Sequence, residues 1–249
     1  VTRSSIIRLI VAMLALTVVL SAALVPIPWF GTQGSEEARD IDKLFDVMIV
    51  LSCFVFAIVM VMFGYSIWKF RARPGDESDG KPIHGNTNLE IAWTVIPTTI
   101  VLIAAVYSAI VLADVGKRGK DPLVVDVTAQ QFEWTFDYGE AGVQSKVLHV
   151  PVDRRLNFRL HALDVLHSFW VPEWRVKKDA VPGLTTQVYT TPTREGAYSL
   201  VCTELCGFGH ATMRAKVIVE PRQDFEKWLR QQPPAGGSAG AGQAAGGAS

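Results

Sequence analysis

Val201-Cys202-Thr203-Glu204-Leu205-Cys206-Gly207-Phe208-Gly209-His210-Ala211-Thr212-Met213-Arg214 holds two of the three cysteines of this 249-residue chain, with a histidine four positions after Cys206 and a methionine three further on. Thiolate, imidazole and thioether are soft or borderline donors, a set that selects copper over magnesium, calcium or manganese. One Cys with a His and a weak Met would describe a mononuclear electron-transfer copper. The second Cys supplies another thiolate, and two thiolates can each bridge two ions, so the stretch reads as half of a dinuclear copper centre. Two other readings stand beside it. A Cys202–Cys206 disulfide suits an exported loop. A structural zinc would use the Cys and His side chains but seldom recruits Met.

The loop lacks a second imidazole, and His149, His161 and His167 are available upstream. His167 lies in the apolar segment Asp164-Val165-Leu166-His167-Ser168-Phe169-Trp170-Val171-Pro172. Copper sites of the cupredoxin type draw one His from a distant strand and the rest from a single loop, and His167 fits the first role. Asp164, three residues earlier, is placed to steady it as an outer hydrogen-bond partner. His149 and His161 read as surface or core histidines.

Around these segments the apolar periodicity is that of strands. Residues 123–129, 146–150, 156–160, 187–190, 198–202 and 215–219 are β-branched or alternating, punctuated by Gly139, Pro151, Pro182-Gly183, Pro192 and Gly196. Short strands at that spacing predict an all-β sandwich or Greek-key barrel over residues 116–232. Asp224–Leu229 reads as a short terminal helix, and residues 233–249 are a Gly/Ala/Ser tail of flexible composition without a Cys for covalent haem.

The first 115 residues follow another grammar. Val47–Trp68 and Ile91–Ala113 carry no charge and are each long enough to span a bilayer. Pro97 reads as lying near the start of the second run, where a helix has spare donors. Lys69, Arg71, Arg73 and Lys81 in the short loop between them place that loop in the cytoplasm. Residues 41–115 are thus expected to form a two-helix membrane hairpin whose outer ends carry the β-domain on the far face of a bacterial-type inner membrane. Lys117, Arg118 and Lys120 oppose this orientation weakly. Residues 1–25, with Arg3 and Arg8 before an apolar body and small residues at Ser21 and Ala23, read as a cleavable export signal, the alternative being an uncleaved N-terminal apolar segment that forms a membrane helix. Apolar residues make up 49% of the chain and formal charge is zero, so charge gives no reason to expect a nucleic-acid partner.

The pattern Cys202-x-Glu204-x-Cys206-x3-His210-x2-Met213, with the His167 segment before it, resembles the subunit II family of cytochrome c oxidases. Two other stretches share the resemblance: His84-Gly85-Asn86-x-x-Leu89-Glu90-x-x-Trp93-Thr94-x-x-Pro97 and Lys178-Asp179-Ala180-Val181-Pro182-Gly183. The likeness runs from about residue 40 to about residue 230 and implies a membrane hairpin followed by a cupredoxin-like domain. It further implies that Cys202 and Cys206 bridge two copper ions. His167 and Met213 would complete one ion; His210 and the backbone carbonyl of Glu204 would complete the other. The Glu204 carboxylate would reach a magnesium ion shared with subunit I. The chain itself would be an electron relay without a catalytic group of its own. It would take electrons from cytochrome c or a related donor and pass them to haem in subunit I of an oxidase that reduces dioxygen to water and translocates protons.

Three carry-overs are less direct. Gln130-Gln131-Phe132-Glu133-Trp134 resembles the family's aromatic strand, where electrons enter. Phe132 occupies the usual Trp position and Trp134 follows two residues on. Asp137, Glu140 and Asp164 are the acids available to steer a basic donor. Glu90 resembles the family's acid at the mouth of a proton path. The copper-free quinol oxidase subunit is the competing reading and conflicts with the complete soft-donor set. A nitrous oxide reductase is the third, and the membrane hairpin and the short length oppose it.

Overall fold

The computed structural model describes residues 2–72, 74–75, 80, 82 and 84–234. Arg73 and Lys81 of the expected cytoplasmic loop, and the tail from residue 235, lie outside the described residues. The chain divides into two units, residues 2–29 with 41–113 and residues 30–40 with the chain from 114 onward.

Among the described residues, three helices are long and apolar enough to cross a membrane: α1 (Arg3–Leu24), α2 (Glu36–Phe70) and α3 (Thr87–Val115). The sequence reading expected two spans, and α1 is the difference. Its 22 residues extend about 33 Å at the helical rise, matching a hydrocarbon core of about 30 Å. No residue of α1 is buried, as befits a helix that is apolar all round. Thr2 caps it, its hydroxyl accepting the Ser5 N–H at 3.3 Å.

The α3 helix starts before its apolar run, so Pro97 lies in the helix interior and not in the first turn. The missing N–H is set among back-bonded threonines. The hydroxyls of Thr94, Thr98 and Thr99 donate to the carbonyls of Glu90, Thr94 and Val95 at 2.7–2.9 Å. At the α3 start, the Asn86 side chain accepts the Leu89 N–H at 3.1 Å while the Glu90 carboxylate accepts the Asn86 N–H at 3.2 Å. That reciprocal arrangement works as a capping box does, with the acid one position later, and it gives Glu90 a local role in starting the helix.

The second unit is a β-sandwich. Its strands are β1 (Leu123–Gln130), β2 (Glu133–Tyr138), β3 (Val143–Ser145), β4 (Leu148–Pro151), β5 (Leu156–Ala162), β6 (His167–Val171), β7 (Val176–Ala180), β8 (Thr186–Thr190), β9 (Gly196–Cys202) and β10 (Arg214–Glu220), followed by helix α4 (Arg222–Gln231). One sheet has the order β3-β2-β1-β5-β8 and the other β4-β10-β9-β6-β7. Both are mixed, because β1 pairs parallel with β5 and β4 parallel with β10. The sandwich expectation therefore holds, while hairpin-linked antiparallel pairing alone does not describe it.

Period-two alternation sends Val125, Val127 and Ala129 of β1 and Trp134, Phe136 and Tyr138 of β2 into the interior. There they meet Phe169, Leu200 and Val217 of the other sheet. Trp174 is fully buried against Phe158 and Tyr198. Trp174→Ala is expected to cost about 3–5 kcal/mol, as large-to-small core changes of this size do. A lower urea midpoint of the β-domain's near-ultraviolet dichroism in the detergent-solubilised chain would register the loss.

Residues 30–40 belong to this unit. Ser35 donates to the Trp174 carbonyl at 2.9 Å, and the Gly34 N–H donates to the Glu173 carbonyl at 2.7 Å. A Cβ on Gly34 would stand 3.1 Å from the Trp174 ring, so this close approach has little room for a larger residue.

Candidate metal centre

Three neighbouring strands converge on the ligand loop. In the β6–β9 register Phe169 faces Cys202, and His167 precedes Phe169 by two on the same inward face. The Cys202 N–H bonds the Met213 carbonyl at 3.1 Å, and the Thr203 N–H bonds the Ser168 carbonyl at 3.1 Å. These bonds stitch the end of β9 to both neighbours. Between β9 and β10 the chain makes a tight excursion that ends in a one-turn 3-10 helix, His210–Thr212.

The side chains close into one cluster. The Cys202 and Cys206 sulfurs lie 3.8 Å apart, and all three cysteines of the chain are free thiols. His167 Nδ1 is 3.9 Å from Cys202 Sγ, and the Glu204 carbonyl oxygen is 3.3 Å from the same sulfur. His210 Nδ1 and Met213 Sδ are each 3.7 Å from Cys206 Sγ. His167 and Met213 are fully buried and both sulfurs nearly so. The potential ligand atoms of His167, Cys202 and Cys206 lie within 4.8 Å of one another, close enough to hold a metal ion.

Burial, together with the neighbouring Cys202 sulfur, pushes the Cys206 thiol up to about 11. Without a cation the Cys206 thiol is thus held neutral, and a bound cation supplies the charge that converts such a thiol to a thiolate. The donors fit a soft ion: two sulfurs at the centre, an imidazole nitrogen beside each, a thioether and a carbonyl at the periphery.

Asp164 holds the outer nitrogen of His167, with Oδ1 2.8 Å from Nε2, which leaves Nδ1 facing the sulfurs. Partial burial alone would raise this carboxyl. Hydrogen bonds from His167 and from the Gln131 and Val165 N–H groups outweigh it and hold Asp164 below the ordinary carboxylate range. A carboxylate in that place fixes the tautomer and the ring plane of a ligating histidine.

Phe132 in the β1–β2 turn and Trp134 in β2 divide their positions. Trp134 is 1% exposed and meets His167 edge-on at 6.2 Å between centroids, so it lies beneath the site. Phe132 is 38% exposed and covers the ligand loop so closely that a Cβ on Gly209 would meet its ring at 2.5 Å. Asp137 and Glu140 are not brought to this end of the domain. They sit at or past the far end of β2, five and eight residues beyond Phe132. His149 pairs with Glu220 and stacks on Trp228, and His161 lies between Asp126 and Thr185, both outside the cluster.

Sequence reasoning missed Gln131, whose side-chain amide donates to the Cys206 carbonyl at 2.5 Å. It also missed the exposed apolar side chains of Leu205 and Phe208, which share the ligand loop. Their position inside the Cys-His-Met motif was the available signal.

A sequence model of the family described as "Cytochrome C oxidase subunit II, transmembrane domain" matches residues 27–111, and one described as "Cytochrome C oxidase subunit II, periplasmic domain" matches residues 141–220. Cytochrome c oxidase subunit 2 of Thermostichus vulcanus is 34% identical over 252 residues, covering 80% of this chain and 77% of that protein. Quinol oxidase subunit 2 of Bacillus subtilis is 31% identical over 186 residues, covering 72% of this chain and 58% of that protein. The crystal structure of the periplasmic domain of subunit II of cytochrome oxidase from Bradyrhizobium japonicum aligns with a TM-score of 0.45 at 25% identity. It covers 47% of this chain and 96% of that one.

Proposed function

The chain belongs to the cytochrome c oxidase subunit II family, and is thereby a membrane-bound subunit of a haem-copper terminal oxidase with a periplasmic domain; from that premise we propose that it is the subunit through which electrons enter, by way of a two-copper centre. Cys202 and Cys206 would bridge the pair as thiolates. His167 and Met213 would complete one ion, and His210 with the Glu204 carbonyl would complete the other. When bound, the copper pair supplies a one-electron relay whose charge is spread over two ions.

The rest of the chemistry belongs to the protein. The β9–β10 strands and β6 hold the donors from rigid edges, so ligand positions change little as the electron comes and goes. Asp164 keeps His167 oriented. Burial excludes water, and the full donor set leaves no position for a substrate, so the site passes electrons and does not make or break bonds. Phe132, half-exposed over the loop, is the contact for a cytochrome c or a related donor on the outer face. Trp134 backs His167 from inside. Asp137 and Glu140 would act only by long-range steering, given their place at the other end of β2. The Glu204 carboxylate, a hard oxygen donor, suits a magnesium ion shared with subunit I. Glu90 is retained as the acid at a proton path, in addition to its capping role.

The observation that carries this reading is the closing of two free cysteines, two histidines, a methionine and a backbone carbonyl around one pair of sulfurs 3.8 Å apart. The similarity to a quinol oxidase subunit favours the copper-free alternative, and one experiment separates the two. The intact oxidase is purified, its copper is counted per chain, and its low-temperature paramagnetic spectrum is recorded. We expect hyperfine splitting by two equivalent copper nuclei and oxidation of cytochrome c. Absence of this copper pair together with quinol oxidation would select the alternative; splitting by one nucleus would indicate a mononuclear site.

A further inference from the structure

The two segments that carry the donors are not joined to one another only through the sandwich. Both are tied to the β1–β2 turn. The backbone N–H of Gln131 donates to Asp164 Oδ2 at 2.7 Å, and the other oxygen of that carboxylate holds His167 Nε2. The side chain of the same residue reaches the ligand loop, where its Nε2 donates to the Cys206 carbonyl at 2.5 Å. One glutamine thus bonds to the partner of one histidine and to the backbone of one cysteine.

The ligand loop is shaped to receive it. Gly207 has φ +133°, and a Cβ there would stand 2.8 Å from the Gln131 amide. Glycine is the residue that accepts both the backbone conformation and the close approach. Phe132 lies on Gly209 directly beside this contact. Leu163, at the head of the His167 segment, donates its N–H to the Ala129 carbonyl at 3.0 Å and so fixes that segment to β1 as well.

We infer that Gln131 is a positioning residue of the metal centre: its amide braces the Cys206 loop against the Asp164–His167 segment and holds the two halves of the donor set at a fixed separation. This deepens the copper reading and rests on it for its effect on electron transfer. Outer partners of metal ligands typically govern affinity and tuning by 10–100-fold, roughly, when removed. The brace has a built-in asymmetry. Gln131→Met keeps the side-chain length and the backbone N–H to Asp164, and deletes only the donor to Cys206.

The test uses the purified oxidase and compares Gln131→Met with the wild type in two arms. In the first, copper is withdrawn by a chelator, and the hyperfine pattern and midpoint potential of the centre are recorded. The variant is expected to keep its haem content, to lose copper at about ten-fold lower chelator concentration, and to show altered splitting and a shifted potential. In the second, backbone amide exchange is followed in the copper-free, thiol-reduced complex. Residues 203–213 should exchange at least about three-fold faster in the variant, while residues 163–167 stay as in the wild type.

Unchanged exchange at 203–213, or an unchanged chelator profile, splitting and potential, would overturn the brace. Equal loosening of both segments would also overturn it, since that is general destabilisation. If the wild type holds no copper pair, the function proposed above fails on its own. The exchange arm then still decides whether Gln131 braces the loop.

Discussion

Cys206→Ser is expected to abolish the two-copper signature and to lower electron arrival at haem by more than about 100-fold, beyond the range seen when outer partners of a metal site are removed. A serine hydroxyl is a hard donor, and it stays protonated where a metal-activated thiol ionises. It cannot supply the second bridging sulfur. His210 and Met213 both face Cys206 Sγ at 3.7 Å, so the change removes the atom around which that side of the cluster is organised. Copper content should fall from two ions to one or none per chain. The remaining sulfur, Cys202, keeps only His167 and the Glu204 carbonyl as close companions. Cys53 provides the control: it belongs to α2, outside the ligand loop, and Cys53→Ser should leave the spectrum intact.

A thiol count tests the disulfide alternative. Thiol titration of the wild type, denatured after metal removal under argon, should count three free thiols. A count of one would mean that Cys202 and Cys206 are oxidised to each other in the native protein, and the copper reading would fall with it.

The reason Cys206 could be picked out of the sequence is that its chemistry is local. Cys202, Cys206, His210 and Met213 lie within twelve residues, and soft donors at such spacing have few other uses. Of the strands around them, β9 and β10 were legible as residues 198–202 and 215–219, while β6 and β7 were not. β6 is buried on nearly every residue, so it lacks the alternation by which a half-covered strand declares itself. β7, Val176-Lys177-Lys178-Asp179-Ala180, places three charged residues between two buried ends and resembles a loop until its pairing with β6 is known. Gln131 was invisible for another reason. Its role depends on a contact seventy-five residues away in the chain, made by an amide of the kind that exposed turns commonly carry. The α1 helix was legible as an apolar run, but composition does not separate a signal from a span when the run is near the spanning length.

Among the polar contacts of the β-domain, the largest effect on stability is expected from Arg155→Met. Glu37 is 6% exposed, and its carboxylate accepts the Thr190 hydroxyl at 2.9 Å, the Thr191 N–H at 3.1 Å and an ion pair from Arg155. The Arg155 side chain, 15% exposed, also donates to Thr191 Oγ1 and to the carbonyls of Val115 and Lys117. One guanidinium therefore joins the first turn of α2, the end of α3 with the residues just after it, and the edge of the sheet at β8. Gly119 makes way for it: its φ is +73°, and a Cβ would lie 3.0 Å from Arg155 Cγ.

Removing the arginine strands a carboxylate that burial has already separated from water. Breaking a buried pair in this way costs about 3–5 kcal/mol, and the residual exposure of Arg155 places the expectation at the lower end. Glu37→Gln should cost less, about 1–2 kcal/mol, because Arg155 keeps its carbonyl partners and some solvent. The double variant Arg155→Met/Glu37→Gln should be less damaged than the sum of the two single changes, since no charge is left unpaired. Urea unfolding of the solubilised chain, followed by tryptophan fluorescence, measures all three. A double variant as unstable as the sum would mean that the ion pair is incidental and that packing of the 30–40 segment, through Ser35 and Trp174, holds this corner instead.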